Sequence, residues 1–183
     1  PPEAKQVAME MVTDLKRAFR KRIVAVDWMS DTTKDRALAK LDAFNVKIAY
    51  PDRWKDYSEL EVRGPDEDGT YISNMISYWR WNWHDELKKL GAPVDKDEWY
   101  LPPQVVNAYY SPLFNEIVFP AAILQPPFFN HKADPAINFG GIGAVMGHEM
   151  SHGFDGRGSR VAQDGNLKNW WEPGDPARFS EKA

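Results

Sequence analysis

Residues 147–152 read GHEMSH, which sets His148 and His152 four positions apart with Glu149 directly after the first histidine. On an α-helix, positions i and i+4 lie one above the other, so both imidazoles can turn a ring nitrogen toward one ion. Glu149 lies about 100° round the helix from His148, so it need not be a ligand. It can serve a water held in the open coordination position of a zinc ion, which lowers that water's pKa to about 7. Glu149 would take the proton and later pass it to a leaving amine. With four histidines in 183 residues, chance gives only about 0.005 occurrences of this pattern.

A catalytic zinc needs a third protein ligand. The continuation H-E-x-x-H-x-x-G-x-x-H is excluded, because Asp155 and Gly158 stand where its glycine and third histidine belong. The other common scheme takes a glutamate from a separate, later helix. Only Glu172 and Glu181 follow the motif. Glu172, beside Pro173, is a conceivable ligand, but the expectation is that the third ligand lies beyond residue 183. The absence of cysteine removes thiolate ligands and disulfides alike.

The elements that must position these side chains follow from periodicity. Apolar residues at Ala8, Met11, Val12, Leu15, Phe19, Ile23 and Val26 predict an amphipathic helix over 4–27, its other face carrying Lys16, Arg17, Arg20, Lys21 and Arg22. SDTTKDRALAKLDAF predicts a second helix, capped by Ser30 or Asp31, with Thr32 and Asp35 resembling a capping box. NVKIAYPDRW is extended, and 62–70 is a loop rich in Gly, Pro and Asp. A helix over about 71–90 ends at Gly91 and Pro93, with Trp79, Trp81, Trp83 and His84 read as packing residues. Strands are predicted at 104–110 and 116–124, joined through SPLFN, with Pro120 at a sheet edge or bulge. His131 falls in the following loop, and one helix spans Pro135 to about Phe154. Gly147 is expected to let the strands approach the motif helix and form a wall for an extended peptide.

Composition bounds the function. Hydrophobic residues make up 43% and charged residues 27%, an ordinary globular balance, and the net charge of −4 argues against a nucleic-acid partner. No apolar run reaches the roughly 18 residues of a membrane span. The chain opens without a signal peptide and stops within a helical pattern, so both ends are expected to continue into something longer.

The segments VNAYYSPLFNEIVFPAAILQPPFF, NFGGIGAVMGHEMSHGFD and DGNLKNWW closely resemble the neprilysin family of zinc endopeptidases, peptidase family M13. The resemblance extends upstream through VDWMSDTTKDRALAKLDAFNVKIAYPDRW. It implies an α+β, mostly helical fold: the N-terminal part of a thermolysin-like zincin (gluzincin) catalytic domain, with the HExxH helix beside a small antiparallel sheet. Residues 1–60 would be a helical linker and 61–183 the truncated catalytic portion. His148 and His152 match the family's zinc ligands, Glu149 its catalytic glutamate, and Asn107 and Ala108 the pair that holds substrate backbone. Phe128 and Val145 match the pocket for the residue after the scissile bond. The family's third ligand, a glutamate in E-x-x-x-D, and its later histidine and arginine are not in this chain.

Two departures occur. One aspartate, Asp155, follows H-G-F where the family usually has two, and FPAAIL replaces FPAGIL. Asp155 can orient a ligand histidine or cap a turn. The resulting expectation is a zinc endopeptidase, with one Zn2+ ion, cleaving short peptides on the amino side of hydrophobic residues. Its partners are peptide substrates and the remaining C-terminal part of the same protein, with no nucleic acid and no membrane span in this chain. The location expected is extracytoplasmic, and this chain alone is expected to be inactive. The alternative is a fragment or pseudo-enzyme that binds peptides or a partner chain along the 104–124 edge.

Overall fold

A computed structural model describes residues 1–182. They divide into two compact units, one of Pro1–Pro51 with the chain from Trp99 onward, the other Asp52–Glu98.

In the first unit, helix α1 (Pro2–Ala25) buries Ala8, Met11, Val12 and Ile23, with Leu15, Phe19 and Val26 packed against them. This is the stripe its periodicity predicts. Arg17 and Arg20 on the other face pair with Asp14 and Asp42. Helix α2 (Asp31–Asp42) starts where the Ser30 hydroxyl accepts the Thr33 amide at 3.3 Å, and it buries Ala37 and Leu41.

Strands β1 (Asn45–Ala49), β2 (Tyr109–Ser111) and β3 (Glu116–Pro120) form a sheet in the order β1-β3-β2. β2 runs antiparallel to β3, as expected, but β1 pairs with β3 in parallel. The sheet is therefore mixed rather than antiparallel. A parallel partner arrives through a long crossover, and hairpin signals cannot reveal it. The strands are also shorter than predicted. β3 is central, so Pro120 is not on an edge strand. It is tolerated because it is the last residue of β3, beyond the end of β2, whose pairing with β3 begins at Tyr109 opposite Val118. All five β3 residues are buried, and Glu116 meets Lys47 of β1 at 2.6 Å.

The motif segment is two helices, not one: α4 (Pro135–Gly140) and α5 (Ile142–His152). The break falls at Gly141, with φ −90° and ψ −100°. A Cβ there would lie 2.4 Å from the Phe128 carbonyl oxygen, and that carbonyl accepts the Ile142 amide at 2.8 Å. The close backbone approach falls here, to the Phe128 carbonyl, and not at Gly147 to the strands as expected. Nothing lies within 4 Å of a Cβ built at Gly147. A last short helix, α6 (Asp175–Ser180), follows Trp170 and Trp171, which are buried in the same core.

The second unit holds helix α3 (Tyr71–Leu87), whose first turn is closed by reciprocal bonds between Thr70 and Ser73. Trp81 is buried, with the Tyr57 ring centroid 4.9 Å away. Trp79 and Trp83 are exposed, contrary to their reading as packing residues. Alternate residues on a helix point to different faces, and a single helix in so small a unit has only one side to bury.

Candidate metal centre

Ile142, Met146 and Met150 are fully buried on one stripe of α5 and fix its rotation about its axis. His148 and His152 each lie two residues beyond a buried methionine, about 200° round. They therefore emerge on the opposite side, His148 exposed and His152 half-buried. Glu149 falls beside the buried stripe and is 7% exposed. One periodicity thus places two histidines outward and the carboxylate inward.

The two Nε2 atoms are 3.0 Å apart, with the rings nearly perpendicular. Two nitrogens about 2.0–2.1 Å from a tetrahedral zinc ion would be separated by about 3.3 Å, so the pair fits such an ion closely. On the far side of the His152 ring, Nδ1 lies 3.0 Å from Asp155 Oδ2. Asp155 Oδ1 accepts the Arg157 amide at 2.8 Å and the Gly158 amide at 2.7 Å. Burial pushes the Asp155 carboxyl up, but the Gly158 amide, the His152 ring and the Arg157 amide outweigh it and hold it below its ordinary value. An ionised Asp155 can only accept. It thereby places the His152 proton on Nδ1 and leaves the Nε2 lone pair facing His148. Asp155 thus meets the His152 ring and closes the following turn at the same time.

The Glu149 carboxyl is raised above its ordinary value, chiefly by burial, against the pull of His148, His152 and the Tyr110 backbone on β2. Among the described residues, no three His, Cys, Asp or Glu side chains converge as a metal site. Glu172 is elsewhere engaged. Its carboxylate pairs with Arg36 at 2.8 Å, and its amide donates to the Thr33 hydroxyl at 2.9 Å.

Asn107 is exposed just before β2, its side-chain oxygen accepting the Ala108 amide at 2.9 Å. Ala108 packs part-buried against the core. Phe128 is 38% exposed, and its carbonyl caps the start of α5. Val145 sits one turn further along α5, half-buried. No helix among the described residues is long and apolar enough to cross a membrane.

Family models for peptidase family M13 match residues 1–51 and 107–183, more than half of the chain between them. The chain belongs to peptidase family M13. Bovine endothelin-converting enzyme 1 (Bos taurus) is 37% identical over 98% of this chain, which covers 24% of that protein. Neprilysin-1 of Caenorhabditis elegans is 40% identical over 98% of this chain and 24% of its own length. The crystal structure of the Mycobacterium tuberculosis zinc metalloprotease Zmp1 with an inhibitor is 50% identical, with a TM-score of 0.88, over 98% of this chain and 27% of that one. PepO from Lactobacillus rhamnosis is 38% identical, with a TM-score of 0.85, over 99% of this chain and 28% of that one. The M13 chain described here thus spans about a quarter of the length of its curated relatives.

Sequence reasoning passed over two contributors to the centre. The Tyr110 backbone bears on Glu149 only because β2 lies beside α5. Gly158 appeared only as the place where a third histidine was missing, and its amide in fact holds Asp155.

Proposed function

We propose that this chain supplies His148 and His152 as two zinc ligands, and Glu149 as proton carrier, to a thermolysin-like zincin (gluzincin) centre that hydrolyses short peptides. The observation that carries this reading is the 3.0 Å convergence of the two Nε2 atoms next to the buried Glu149. A zinc ion bound there would acidify a water and polarise the scissile carbonyl. The described residues add no third ligand to these two histidines, so the proposed centre takes it from elsewhere in the full-length protein.

Glu149 is suited to the proton work because its burial raises its proton affinity. It takes a proton from the attacking water and returns it to the amine that leaves. Asp155 keeps His152 in the orienting tautomer throughout. β2 is the outer strand in the β1-β3-β2 order, so an extended peptide can add alongside it. Asn107 and Ala108, at its start, would hold the substrate backbone. Phe128 and Val145 would line the pocket for a hydrophobic residue after the scissile bond.

The test uses the full-length protein. Glu149→Ala should abolish hydrolysis of a peptide with a hydrophobic residue after the cleaved bond, while one zinc per chain remains by elemental analysis. Unchanged turnover in that variant would remove Glu149 from the mechanism.

A further inference from the structure

Lys40 is 1% exposed in the first unit. Lysine is almost never fully buried without a partner, because taking its charge out of water is costly. Among the described residues, no carboxylate takes its protons. Its Nζ donates instead to the Gly158 carbonyl at 2.8 Å and the Val161 carbonyl at 2.6 Å. The Trp170 ring lies 5.3 Å and the Tyr110 ring 5.9 Å from the same nitrogen. Its own backbone carbonyl accepts from Asn115 at 3.1 Å, and Asn115 in turn accepts the Tyr110 hydroxyl at 2.9 Å. The Lys40 side chain is thus tied to the turn after α5, and its backbone, through Asn115, to Tyr110 of β2.

The turn matters because Gly158 works at both ends. Its carbonyl accepts from Lys40 and from Trp170 Nε1 at 2.9 Å, while its amide donates to Asp155. The turn is packed so tightly that a Cβ on Gly158 would lie 2.2 Å from the His152 carbonyl oxygen. A group that fixes the Gly158 carbonyl therefore restrains the residue whose amide, on the other side of its Cα, holds the Asp155 carboxylate toward His152.

We propose that Lys40 is a positioning residue for the metal-binding face of His152, acting through the Gly158 turn and Asp155. The inference rests on the zinc reading given above. Burial lowers the Lys40 ammonium to about 8, against the opposing pull of Asp155. What a methionine in the same space could not supply is the pair of hydrogen bonds to the Gly158 and Val161 carbonyls.

The test is a double-mutant cycle on zinc affinity in the full-length protein, read by chelator competition and independent of turnover. Lys40→Met keeps the stem and loses the charged head. It should weaken zinc binding about tenfold, the lower end for residues that orient a metal ligand. In an Asp155→Ala background the same change should have no further effect, because the path is already cut. Should the methionine variant not fold, Lys40→Gln is carried through the same cycle. A lower melting temperature with unchanged zinc affinity assigns Lys40 to stability alone and overturns the proposal, and so do fully additive effects. Wild-type protein that binds no zinc overturns the underlying metal reading as well.

Discussion

Asp155 Oδ2 stands 3.0 Å from His152 Nδ1, while Asp155 Oδ1 takes the Arg157 and Gly158 amides. The carboxylate is therefore clamped before it meets the imidazole. Asp155→Asn keeps an oxygen for the amides but loses the ionised acceptor. It should weaken zinc binding by about 10- to 100-fold and lower the melting temperature, because the charged form that the fold favours is lost. Chelator competition measures the first and thermal unfolding the second. Equal zinc affinity in variant and wild type would reduce Asp155 to a turn cap.

Glu149 should carry a stability cost. Its folded pKa is raised by burial, so the folded protein binds a proton more readily than the unfolded chain, whose glutamates titrate near 4.3. Stability therefore falls as pH rises from about 4.3 through the folded value, and the full cost is present above it. In metal-free protein, Glu149→Gln should melt higher than wild type at pH 7, and the gap should close on acidification to about pH 4. A gap that stays constant with pH would have another origin.

Much of the centre was legible because its parts are close in sequence. His148, Glu149 and His152 share one helix, and Ile142, Met146 and Met150 share the stripe that turns it. The α1 core stripe was readable for the same reason. What was not legible comes from distance along the chain. β1 joins β3 in parallel at a separation that periodicity does not register. The Gly141 break depends on the Phe128 carbonyl from the preceding loop. Lys40 reads as one more charge on an amphipathic helix, and its partners stand 118 and 121 residues later.

The glycine at 158 should be irreplaceable. A Cβ would come within 2.2 Å of the His152 carbonyl oxygen and 2.5 Å of the Gly153 carbonyl oxygen, and both are backbone atoms that cannot swing away. Gly158→Ala should cost about 1–3 kcal/mol, as overpacking generally does, and should also weaken zinc binding, because the Gly158 amide holds Asp155. Gly147→Ala is the control. Open space surrounds that Cβ, so the added methyl should leave folding intact. If Gly158→Ala is as harmless as Gly147→Ala, the turn is not the rigid clamp inferred here.

Asp175 should give the protein an acid-sensitive joint. It is fully buried at the start of α6 and accepts the Ser30 amide at 3.2 Å and the Ser30 hydroxyl at 3.1 Å. Arg178 also pairs with it. Burial pushes this carboxyl up, but Thr33, the two Ser30 donors and Arg178 together hold it below its ordinary value. Unfolded aspartate titrates near 3.9. The stabilisation is therefore complete above about pH 4 and is lost as pH falls through the lower folded value. Asp175→Asn should cost about 1–3 kcal/mol at pH 7, since buried donors lose their charged acceptor. The deficit should persist down to about pH 4 and shrink below it, as wild type itself becomes protonated. Urea unfolding of both proteins across this range measures it. A deficit that stays constant in acid would mean that the charge of Asp175 is not what holds α6 to the start of α2.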